Sequence, residues 1–199
     1  MIIENNKPIK VIGYSESSMV ESAMNIVLTE TQNTIDVITP EVFLNLENKS
    51  DYQYLVAFCI DTKLRKTICE EIDNLDLDCI TYVDDTSVVS NTSTLGKGVV
   101  IGPFSSTLYE THVGNHCWIE SNCLVAHHVN LGRACVLHAG TLIAGRTTVG
   151  ENCTFKFKSS VIGKITIVND VTIGALSNVT KDITKPGRYV GSIARYIGE

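Results

Sequence analysis

Five histidines, His112, His116, His127, His128 and His138, are the side chains of this sequence that can take or release a proton near neutral pH. Two of them, His127 and His128, are adjacent. An imidazole can act as general base toward an amine or a hydroxyl. The plainer alternative for any one of them is a surface or turn residue. No H-x4-H pair occurs. The seven cysteines (Cys59, Cys69, Cys79, Cys117, Cys123, Cys135 and Cys153) are odd in number and contain no CxxC pair. A zinc site or a disulfide framework therefore has little support. A further candidate is the loop Gly13-Tyr14-Ser15-Glu16-Ser17-Ser18, between an apolar run and a helical pattern. That is where a doubly wound sheet takes its ligand. It holds one glycine, and Glu16 would repel a phosphate. A helix start capped by Ser15 or Ser17 explains it equally well.

What must position the histidines is a repeat. From Val89, sixteen consecutive hexads run to Thr184 without insertion. The first position is Val, Leu or Ile in fourteen of the sixteen, with Thr107 and Phe155 as exceptions. The second is Gly in six: Gly96, Gly102, Gly114, Gly132, Gly150 and Gly174. The fifth is always Ser, Thr, Cys, Val or Ile, which gives Cys117, Cys123, Cys135 and Cys153 a structural place as small buried side chains. A period of six predicts a triangular prism in which each hexad supplies a strand and a turn of about 120°. The first position fills the interior, the fifth lies near the corner, and Gly at the second suits tight backbone. Sixteen hexads make about five coils, roughly 25 Å tall at the spacing of paired strands. Residues eighteen apart then stack in columns. Glu110, His128 and Arg146 form one, and Glu120, His138 and Lys156 another. Glu110 can thus reach His128, although a surface charge ladder is the simpler reading.

Residues 1–84 have a different texture, and residues 85–199 carry the prism. Strands are expected over residues 9–13, 35–38, 52–60 and 79–83. Helices are expected over 18–29, with Val20, Met24 and Val27 on one face, and over 62–75, with Leu64, Ile68, Ile72 and Leu75. This alternation suggests a small parallel α/β unit. Hydrophobic residues make up 44% and charged residues 19% of the chain, enough for a sizeable core. The net charge of −6, without a basic run, argues against nucleic acid as partner. No apolar stretch approaches the roughly 18–20 residues of a membrane span. The N-terminus does not read as a signal peptide, so a cytoplasmic protein with no membrane partner is expected.

Together these features resemble the NeuD/PglD-like sugar acyltransferases. Val125-Ala126-His127-His128-Val129-Asn130-Leu131-Gly132 is similar to that family's V-x-H-[DE]-x-x-[IL]-G. Residues 139–145, AGTLIAG, are similar to P-G-A-x-[LI]-x-G. Residues 173–183, IGALSNVTKDI, resemble IGAGAVVTKDI, and residues 186–195 the closing PGxxVGxPAR. The resemblance implies a Rossmann-like sugar-nucleotide-binding domain followed by a left-handed parallel β-helix. It also implies a homotrimer with active sites between prisms, acetyl-CoA as co-substrate and no metal. The activity it implies is acetyl transfer to an amino sugar on a UDP or dTDP carrier, in bacterial surface-glycan biosynthesis. By position, His127 would be the base, with His128 and Glu110 beside it. Gly145, Phe157, Gly163 and Lys164 would line the CoA arm, and Gly13, Ser15, Glu16 and Ser17 the nucleotide. Sugar O-acetylation, or metabolite binding without catalysis, remain alternatives. The sequence departs from the family at three places: His128 stands where the family has an acid, YSESS replaces a Gly-rich, His-containing loop, and Ile193 replaces a proline.

Overall fold

The computed structural model describes residues 2–3, 7–14, 35–58 and 61–198. The chain divides into two compact units, Met1–Tyr82 and Val83–Glu199.

The strands of the first unit are Ile2–Ile3 (β1), Ile9–Ile12 (β2), Ile35–Ile38 (β3), Gln53–Val56 (β4), Asp78–Cys79 (β5) and Thr81–Val83 (β6), whose last residue begins the second unit. Four of them form a parallel sheet in the order β3-β2-β4-β5. β4 is buried along its whole length, as an apolar central strand should be. The strand expected over 79–83 is two strands. Ile80 still donates its N–H to Tyr54 O at 3.0 Å, and beyond it the chain leaves the sheet, so that β6 pairs antiparallel with β1. The helix Thr62–Asn74 starts at Asp61, whose carboxylate accepts the Leu64 N–H at 2.9 Å. Its buried face is Arg65, Ile68, Cys69 and Ile72, rotated from the expected stripe. Leu75 is the C-cap and is 54% exposed. Arg65 is buried because its guanidinium donates to Val56 O and Phe58 O, closing the end of β4. A short helix, Pro40–Leu44, was not expected, although Thr39-Pro40-Glu41 carries an N-cap, a first-turn proline and a first-turn acid. The helix expected over 18–29, like Ser15, Glu16, Ser17 and Cys59, lies outside the described residues.

The second unit is a parallel β-solenoid. Its strands occupy the sixth and first hexad positions and stack into three sheets. Val88–Val89 through Asn178–Val179 form one, Thr94–Leu95 through Thr166–Ile167 the second, and Val100–Ile101 through Val171–Ile173 the third. Every hexad strand up to Ser160–Val161 pairs with the one eighteen residues on, as in Ser106↔Leu124 and His112↔Asn130. First-position side chains fill the interior, Phe155 being the largest, and Thr107 is buried among them. The solenoid extends beyond the sixteen hexads, to about six turns. Gly187–Val190 pairs in parallel with Val171–Ile173 at an offset of sixteen, and Arg195–Tyr196 folds back antiparallel onto that strand.

Two positional rules acquire physical reasons. The second-position glycines are set by the distance between coils. A Cβ on Gly132 would lie 2.6 Å from the Gly150 carbonyl carbon, and one on Gly114 2.7 Å from Arg133 N. The left-handed backbone falls instead at the fourth position, where every residue from Gly98 to Leu176 has positive φ. At most fifth positions, Ser, Thr and Cys donate to the second-position carbonyl of the next coil, while Thr141 and Ser177 donate within their own turns. Ser105 reaches Glu120 O at 2.7 Å, Cys117 reaches Gly132 O at 3.1 Å and Cys135 reaches Gly150 O at 3.2 Å. These cysteines are thus buried donors as well as apolar fillers. Among the described residues no helix is long and apolar enough to cross a membrane.

Candidate active site

His127 and His128 occupy the third and fourth positions of one turn, between the strands Leu124–Val125 and Asn130–Leu131. Backbone bonds to both neighbouring coils hold this turn. His128 N–H donates to Tyr109 O at 3.1 Å, and Arg146 N–H to His127 O at 3.0 Å. The preceding carbonyl, Ala126 O, accepts the Thr111 hydroxyl at 2.9 Å. His128 has φ 57°, the left-handed backbone that recurs at the fourth hexad position.

The His127 ring lies in a slot. The Tyr109 ring stacks on one face, with centroids 5.2 Å apart and planes within 12°. Gly145 covers the other, and a Cβ there would sit 2.6 Å from both Cε1 and Nε2. Only glycine at 145 leaves room for the imidazole. His127 Nδ1 lies 3.0 Å from His128 Nδ1, with the rings nearly perpendicular. His128 Nε2 lies 2.6 Å from Glu110 Oε2. His127 Nε2 makes no hydrogen bond among the described residues.

Of the residues expected to hold CoA, three gather here. Gly145 and Gly163 continue the column of His127, and Lys164 continues that of His128, its N–H donating to Gly145 O at 3.0 Å. Three third-position N–H groups at other corners find side-chain acceptors, Lys97 at Asn115, Glu151 at Asn169 and Ala139 at Glu120, while those of Ser121 and Phe157 find none among the described residues. The N–H groups of Gly145 and Gly163 have no acceptor among the described residues. Phe157 stands apart, at a different corner of the solenoid, half exposed, with its ring 4.9 Å from that of His138. His138 itself is buried, between Glu120 at 3.0 Å and Lys156 at 3.3 Å. Tyr109 was missed in the sequence, although it lies one coil before His127 in the same column.

In the first unit, Gly13 follows β2, and its N–H donates to Ile38 O at 2.9 Å. Tyr14 donates to Glu41 at 3.1 Å and meets Phe58 edge-on at 6.1 Å. This aromatic pair joins the carboxyl ends of β2 and β4, where the strand order switches direction and where open α/β sheets take ligands. Among the described residues no group of three or more His, Cys, Asp or Glu side chains is arranged to hold a metal ion.

Residues 110–145 match the bacterial transferase hexapeptide family, over six repeats. The second unit thus has the hexapeptide-repeat solenoid fold, and the chain is similar in fold to solved acetyltransferases. PerB from Caulobacter crescentus, in complex with CoA and GDP-perosamine, superposes with TM-score 0.81 at 20% identity, over 96% of this chain and 97% of that one. The acetyltransferase domain of PglB from Neisseria gonorrhoeae FA1090 gives TM-score 0.73 at 17% identity, over 97% and 100%. WeeI from Acinetobacter baumannii AYE gives 0.65 at 15% identity, over 96% and 100%. No curated protein sequence matches the chain.

Proposed function

We propose that this protein transfers the acetyl group of acetyl-CoA to the amino group of a nucleotide-linked amino sugar, with His127 as the base. The observation that carries the reading is the His127 slot: an imidazole oriented at Nδ1, open at Nε2, beside two glycine N–H groups that no side chain uses. The sugar amine attacks the thioester carbonyl while His127 Nε2 takes its proton. The Gly145 N–H meets the developing oxyanion. As the C–S bond breaks, the proton passes to the CoA thiolate. Gly163 and Lys164 line the approach, with His128 and Glu110 behind the base. PerB holds CoA and GDP-perosamine together in the same fold, which supports these two substrates.

On the same reading the solenoid is left-handed. The segment 1–84 is a Rossmann-like nucleotide-binding domain and 85–199 the acyltransferase domain. A UDP or dTDP carrier sits by Gly13, Ser15, Glu16 and Ser17, with the Tyr14–Phe58 pair beside it. The working unit is a homotrimer in the cytoplasm serving bacterial surface-glycan synthesis. Support for the trimer comes from the face of the Val88–Val89 to Asn178–Val179 sheet. Leu142 and Ile162 are about two-fifths exposed on it, and His127 and Phe157 lie at its opposite edges. Packing such faces around a threefold axis brings one copy's Phe157 edge toward the next copy's His127 edge.

The test is thiol release from acetyl-CoA with nucleotide-linked amino and hydroxy sugars. Amino-sugar-dependent release is expected, and His127→Ala should lower kcat by roughly 10²–10⁴-fold while acetyl-CoA still binds. Near-wild-type turnover in that variant removes His127 as base. Release only with hydroxy sugars makes the protein an O-acetyltransferase, and release with neither leaves a binding protein.

A further inference from the structure

Resting on the role of His127 just described, we infer that Glu110, His128 and His127 form a proton relay in which His128 sets the tautomer of the base and takes over its positive charge. Hydrogen-bond chemistry fixes the direction. A carboxylate only accepts, so His128 Nε2, 2.6 Å from Glu110 Oε2, carries a proton. In neutral His128 the other nitrogen, Nδ1, is then a lone pair. It lies 3.0 Å from His127 Nδ1, which must therefore carry the shared hydrogen. Neutral His127 is left with its lone pair on Nε2, the nitrogen that faces the open site.

The relay also accounts for the proton. When the amine attacks, the N–C bond forms and the amine proton arrives at His127 Nε2. The hydrogen on His127 Nδ1 shifts to His128 Nδ1, and the cation rests on His128 against the Glu110 carboxylate. Collapse of the tetrahedral adduct breaks the C–S bond. The shifts then reverse, and His127 Nε2 returns the proton to the departing thiolate. The charged and titratable groups around the pair are Tyr109 and Glu110 on the preceding coil and Arg146 and Lys164 on the following ones. Of these, only Glu110 is in ionic contact with the pair. The chain thus replaces an acid directly after the base with a histidine that borrows its carboxylate from the coil before.

Two measurements test this. Long-range proton–nitrogen NMR of histidine-labelled protein at about pH 8 reads each tautomer without any substrate. The expected result is a hydrogen on His127 Nδ1 and on His128 Nε2. A hydrogen on His127 Nε2 overturns the relay, whatever the enzyme's activity. The second is the split between kcat and KM. Glu110→Gln removes the carboxylate against which the cation on His128 rests, so it should lower kcat roughly fivefold with little change in the acetyl-CoA KM. His128→Asn keeps a residue at ease with positive φ and an acceptor in place of Nδ1. It should lower kcat roughly 10²-fold with little change in the acetyl-CoA KM. In the His128→Asn background, Glu110→Gln should have no further effect. Additive effects of the two substitutions would overturn the relay and leave His127 as base untouched. Failure of His127→Ala to lose turnover would instead overturn the parent reading.

Discussion

At the scale of the residue, the site depends on a missing side chain. His127 is flanked by Tyr109, which supplies a flat face, and by Gly145, which supplies space. Adding one carbon at 145 forces the ring out of its slot, because that carbon would lie 2.6 Å from two ring atoms. Gly145→Ala is therefore expected to lower kcat roughly 10²-fold through misplacement of the base, with thermal unfolding little changed. A variant that keeps full turnover would show that the slot does not orient the base. The same replacement at the second hexad position, Gly132→Ala, should act on stability, since its new carbon meets the backbone of the next coil at 2.6 Å.

At the scale of the element, the corners are held by a ladder of small donors. Cys123 and Cys135 belong to it, and burial pushes both thiols up, Cys123 to about 11. The sign follows from linkage. A thiol that holds its proton more tightly when folded contributes stability below the unfolded value of 9.0. That contribution is lost as pH rises from 9.0 through about 11. Urea midpoints should therefore fall over this range, and fall less in Cys123→Ser, where a hydroxyl replaces the thiol as it does at Ser105. An identical alkaline slope in the variant would show that Cys123 does not contribute to it. Cys135→Ser should likewise be mild, because the donor to Gly150 O is retained.

At the scale of the whole molecule, the face proposed for the trimer contact bears the exposed aliphatic side chains Val88, Leu142 and Ile162. Exposed aliphatic side chains gathered on one flat face mark an association surface. Light scattering should find three chains per particle for the wild-type protein. Leu142→Lys places a charge on that face and should shift the particle toward single chains, with loss of activity in proportion. A monomeric wild-type protein with full activity would rule out the trimer as the working unit.

The period of six, the interior positions and the columns at eighteen were readable from the sequence alone. In a solenoid each residue's neighbours follow from its register, so sequence distance becomes spatial distance. The contact between Glu110 and His128 is an instance. The continuation of the solenoid through Gly187–Val190 was not readable, because two residues drop out of the period there. Nor was the face of the helix Thr62–Asn74. Arg65 is buried by two carbonyls at the end of β4, and that attraction is invisible to a pattern of apolar spacing. The break of residues 79–83 into two strands depends on pairing with β1, seventy-eight positions away at Ile3↔Thr81. At the site, sequence placed the histidines in one turn, but only the tertiary structure oriented them. The positive φ of His128, the Tyr109 stack and the room above Gly145 decide which nitrogen of His127 faces inward to its neighbour and which is left open. Those are matters of packing between coils, where distances of a few tenths of an ångström decide what fits.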